Sequence, residues 1–220
     1  MQYTTAASDA LLALACAASA IIIGKARARY HDAYQPALFC ALLGFALTAA
    51  AALCGSMRYG LDPSWQGAHL WLTQASTFLG LPLIGCAALS LSRNWVWSRA
   101  NWGRILLGLC AFFELARQLN QLDDYRLLLN LITLAAVLYA GLIQLPNKTL
   151  TLAAVASVGL FVVAGLAVGT TGYIGAIRRV DLFHLLLTLA YPLLACFILK
   201  LPVQSAVSTE TSQATDKTDQ

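Results

Sequence analysis

Residues 36–57, PALFCALLGFALTAAAALCGSM, run for 22 positions without a charge. A membrane span takes about 20 mostly apolar residues to cross about 30 Å of hydrocarbon. The segment therefore reads as a transmembrane helix. Gly44, Thr48, Ala52 and Ser56 place a small residue at every fourth position of it, a face that lets another backbone come close. Further apolar runs at roughly 7–24, 67–91, 102–120, 126–145, 149–174 and 181–201 bring the expected number of spans to seven. The runs are continuous rather than alternating, which excludes a β-barrel. The fourth is the weakest, since its uninterrupted apolar part covers only Ile105 to Phe113 before Glu114.

Composition agrees with this reading. Of 220 residues, 59% are hydrophobic and 11% charged, where a soluble domain has about 25% charged. A soluble globule and a disordered chain are both excluded. A net charge of +4 with no long basic run gives no footing for nucleic acid. The fold class is all-α, a polytopic membrane protein with a bundle of seven transmembrane helices over residues 1–202. Residues 203–220, rich in Ser, Thr, Gln and Asp, read as a disordered cytoplasmic tail.

Asp9 is the one early charge, and Lys25, Arg27 and Arg29 follow the first apolar run instead of preceding it. A signal peptide has the reverse order, so an uncleaved first helix is expected. Basic loops stay cytoplasmic. Lys25, Arg27, Arg29, Arg93, Arg99, Arg104, Lys148, Lys200 and Lys217 fall on one side, against Arg58, Arg117, Arg126, Arg178 and Arg179 on the other. The expected orientation in a bacterial inner (plasma) membrane has the N-terminus outside and the C-terminus cytoplasmic. Cysteines 16, 40, 54, 86, 110 and 196 all lie within spans and read as packing residues. Gly165 and Gly169 offer the sixth helix a close-packing face, and Pro82 and Pro192 should kink or loosen helices three and seven.

An ionisable group inside a span costs about 2.5–3.5 kcal/mol on insertion scales, so each one needs a reason. Asp181, His184, Thr188 and Tyr191 are spaced 3, 4 and 3 apart, on one face of the last helix. His69 and Thr73 share a face of the third. Glu114 and Arg117 stand one turn apart on the fourth helix, and Arg126 and Asn130 on the fifth. Alternating topology brings these groups to the same outer depth, where they outline a polar pocket open to the outside. They are also readable as structural groups, Glu114 pairing with Arg117 and Asp181 with Arg178. A catalytic metal takes three protein ligands. His69, Asp181 and His184 are the set that would supply them. His31, in a basic loop, reads as solvated.

The opening of the last helix, Asp181-Leu-Phe-His184, resembles that of small uncharacterised bacterial seven-helix proteins, which begin it with Asn-Asp-x-x-His; Val180 replaces the Asn here. More distantly, it resembles the superfamily of alkaline ceramidases and progestin/adipoQ receptors. That resemblance implies a seven-helix hydrolase whose zinc is held by histidines, two of them as His-x-x-x-His in the last helix. Thr188 stands where the second would be, and Ser56 is the counterpart of the superfamily's serine. The reading from sequence is an integral inner-membrane protein that binds or senses a small molecule or lipid in an outward-facing pocket. The alternatives are a variant metal-dependent lipid hydrolase and a structural or assembly subunit of the membrane.

Overall fold

A computed structural model describes residues 2–202, so the tail expected at 203–220 lies outside the described residues. The described residues form seven long helices: α1 (Tyr3–Arg27), α2 (Gln35–Gly60), α3 (Pro63–Ser92), α4 (Arg99–Gln118), α5 (Leu122–Leu142), α6 (Lys148–Val168) and α7 (Arg179–Lys200). Six of them are long and apolar enough to cross a membrane, and the chain is a multi-pass helical membrane protein. The exception is α4, the run that Glu114 interrupts. At 1.5 Å per residue, the 22 residues of α7 span about 33 Å.

Consecutive helices run in opposite directions. Gln2 N–H donates to the Tyr59 carbonyl, tying the start of α1 to the end of α2. At the other end, the Tyr30 hydroxyl donates to Leu199 O, 2.9 Å away, and burial pushes that phenol's pKa up. Helix ends follow the local chemistry. Ser98 accepts from Asn101 N–H to cap α4, and Asn147 accepts from Leu150 N–H to cap α6. Asn94 and Asn120, with φ of 51° and 57°, turn the chain out of α3 and α4.

The sixth helix departs from expectation. The apolar run continues to residue 174, but the helix stops at Val168 because Gly169 adopts φ +68°. A short ribbon follows, β1 (Tyr173–Ile174) with β2 (Ile177–Arg178), turning at Gly175 with φ +61°. Gly165 does not pack against a neighbouring backbone; a Cβ there would meet nothing within 4 Å.

Two wide π turns interrupt the helices, Ser76–Gly80 in α3 and Val163–Val168 in α6. The first puts Leu81 N–H on the Ser76 carbonyl, immediately before Pro82, which has no amide to offer. In α2 the small-residue face behaves as expected, because a Cβ at Gly44 would collide with the Gly80 carbonyl and Ile84.

The packed core occupies one half of the bundle. Its largest fully buried side chains include Ile23 late in α1, Leu38 and Phe45 early in α2, and Leu83, Ile84 and Leu91 late in α3. Leu194, Phe197 and Ile198 come from late in α7. The opposite half, where α1, α3, α5 and α7 begin, is hollow.

Candidate functional site

The hollow half holds a cavity of about 700 Å³, within the range of about 300–1,000 Å³ typical of small-molecule sites. Its wall includes Asp9 from α1, Thr48 from α2, His69, Thr73 and Ser76 from α3, and Arg126 and Asn130 from α5. From α7 it takes His184 and Tyr191. Six of the residues singled out in the sequence thus meet at one cavity: His69, Thr73, Arg126, Asn130, His184 and Tyr191.

Asp9 is the member that spacing missed. It is 1% exposed, and its Oδ1 lies 3.0 Å from His184 Nδ1. Ser8 Oγ is 3.4 Å from the same nitrogen and donates its own proton to the Thr5 carbonyl. A carboxylate oxygen and an already-donating hydroxyl can only accept, so Nδ1 of His184 carries the hydrogen. The same logic holds for His69, whose Nδ1 lies 3.1 Å from the Ala51 carbonyl. Both imidazoles are anchored through Nδ1, and in the neutral ring Nε2 is left as a lone-pair acceptor.

Gly55 makes this convergence feasible. A Cβ there would sit 2.5 Å from Asp9 Oδ2 and 2.8 Å from His69 Cε1. With only hydrogen at that position, the carboxylate and the ring close on one spot. Asp9 Oδ2 and Asn130 Oδ1 are both buried without a hydrogen-bond partner, an unusual condition for buried polar atoms. Below them, Thr48 Oγ1 lies 2.7 Å from Ser76 Oγ and donates across 3.3 Å to the Tyr191 hydroxyl. Ser76 opens the π turn of α3, so the wide turn brings its hydroxyl into this cluster.

The remaining candidates lie elsewhere. Glu114 and Arg117 pair with each other at 2.6 Å on α4 and do not line the cavity. Thr188 donates back to the His184 carbonyl at 2.8 Å. Asp181 is buried in the first turn of α7, and its Oδ1 has no partner. It does not pair with Arg178, which lies over the Tyr173 ring, and it leaves His184 to Asp9. Among the described residues, no three His, Cys, Asp or Glu side chains gather as a metal-holding group. The zinc set His69, Asp181 and His184 is therefore not assembled, and the second histidine that the resemblance implies is absent at Thr188.

At the mouth, Asp123 pairs with Arg126 at 2.9 Å and Asp124 stands beside them. Asp62, in the loop at this same end, accepts the Ser64 N–H, which holds its carboxyl below its ordinary pKa. The opposite end carries a smaller cleft of about 360 Å³ with Arg27, Arg99 and Trp102 in its wall.

Asp9 was detectable in principle. It is the one charge within the apolar run of the first helix, ahead of Lys25 and Arg27 in the last turn, and an ionisable group inside a span is a site candidate by default. No family model, curated protein or solved structure matches the chain.

Proposed function

We propose that this membrane protein binds or senses a small molecule or lipid in the cavity between α1, α3, α5 and α7. The observation that carries this is Asp9, which lines the cavity and keeps its Oδ2 buried without a partner, within a helix that otherwise contains no acidic residue. Burying a carboxylate is costly, and leaving one of its oxygens unpaired adds to that cost. A guest that donates a hydrogen bond to the oxygen relieves that cost. In a bacterial inner membrane, the distribution of Lys and Arg supports an orientation with the mouth facing out.

The test fills the cavity without touching its polar groups. Gly165 lines it and has open space around its Cα, so Gly165→Phe projects a ring into the void. Mass spectrometry of small molecules released from the purified protein should find a species with wild type that is missing from a folded Gly165→Phe. Identical profiles would count against the pocket.

A further inference from the structure

We propose that the guest is an organic cation, a protonated amine whose ammonium group sits against Asp9 Oδ2 and Asn130 Oδ1. This rests on the binding reading above and adds the chemical class. Four polar atoms define the matter: Asp9 Oδ2, Asn130 Oδ1, and Nε2 of His69 and of His184. The first two are buried and unpartnered. Both histidines have their Nδ1 hydrogens engaged, by Ala51 O and by Asp9 Oδ1. With both rings neutral, all four atoms accept hydrogen bonds, and a guest that donates them fits this wall. An anion or a carbonyl offers nothing to these four atoms.

The charge census points the same way. The chain carries 14 Lys and Arg against 10 Asp and Glu, yet the cavity wall holds Asp9, Asp123 and Asp124 against Arg126 alone. Arg126 is held by Asp123, which leaves Asp124 at the mouth and Asp9 inside. A cleft lined by one sign of charge with low-dielectric walls raises the local concentration of the opposite charge. Arginines gather instead at the far cleft, as Arg27 and Arg99. The rest of the wall suits the carbon part of such a guest: Leu127, Leu131 and Leu166 offer aliphatic contact, and Phe161 and Tyr59 offer ring faces.

A primary ammonium can come from a free amine or from the headgroup of an ethanolamine lipid, and the experiment separates the two. The full chain, purified in dodecyl maltoside, is titrated near neutral pH with n-hexylammonium, n-hexanol and hexanoate, using calorimetry and thermal unfolding. Hexylammonium should bind at least tenfold more tightly than hexanol, and hexanoate should not bind. Asp9→Asn should abolish the preference for the ammonium. Asn130→Leu, which leaves the Asp9–His184 pair untouched, should weaken it severalfold and serves alone if Asp9→Asn does not fold. In nanodiscs of phosphatidylglycerol, added phosphatidylethanolamine should compete with hexylammonium if the natural guest is the lipid and leave it unaffected if it is a free amine.

Equal binding of hexanol and hexylammonium would overturn the cation and leave the pocket standing. Tighter hexanoate binding, or saturable binding of zinc chloride with none of hexylammonium, would do the same. Binding by none of the probes also removes the cation. The pocket itself falls only if the released molecules are unchanged in Gly165→Phe.

Discussion

Two carboxylates of this chain hold a cationic or ionisable partner in opposite ways. Glu114 and Arg117 are one turn apart on α4, 2.6 Å from each other, with side chains 45% and 56% exposed. Asp9 and His184 come from the first and last helices, lie 3.0 Å apart, and are 1% and 14% exposed. The shorter contact is the weaker constraint. An exposed pair trades its water for a partner at little net gain, because solvent screens it and both side chains lose freedom. A buried pair has given up its water already, so each member depends on the other. The difference lies in what surrounds the charges.

The comparison is sharpest at His184. His184→Ala strands the Asp9 carboxylate in the bundle, and stability should fall by about 3–5 kcal/mol in thermal or denaturant unfolding in detergent. The double variant Asp9→Ala/His184→Ala should recover much of the loss, since no charge is then stranded. A single-variant loss as small as that of a surface pair would erase the distinction. Gly55→Ala probes the same pair from the side. Its Cβ would press on both Asp9 and His69, and overpacking should cost about 1–3 kcal/mol. Gly165→Ala, placed in open space, is the control that should not lower the unfolding midpoint. The smallest effect belongs to α4. Glu114→Gln should leave the midpoint where it is, and a clear drop would mean that this pair also stabilises the bundle.

The same contrast explains what could be read from the sequence. Spans were legible because hydrophobic length is a local property, and α1, α2, α3, α5 and α7 fall within a few residues of the apolar runs. The end of α6 was not, because the run stays apolar past Gly169 while the backbone turns there. In the site, His69, Asn130 and His184 were found because alternating helices put their positions at one depth, and Tyr191 because it shares the face of His184. Spacing favours partners on the same helix, and so it set Asp181 beside His184 on one face. The actual partner, Asp9, lies at the far end of the chain and is brought in by packing of α1 against α7. Likewise, the role of Gly55 is visible only when the groups it keeps room for are in place.

The wide turn at Ser76–Gly80 has a consequence for how α3 is phased. A π turn holds one residue more than an α-helical path needs, so the segment before it is offset from the segment after it by one step, about 100° of rotation. Removing one residue from that turn would restore an ordinary helix. The later segment would keep Ile84 and Leu91 in the core, but His69 and Thr73 would swing round the axis, away from Asp9. Helix length would scarcely change, and the apolar content would stay almost the same. The cavity thus depends on an angular offset between two halves of a single helix, a property that hydropathy does not register.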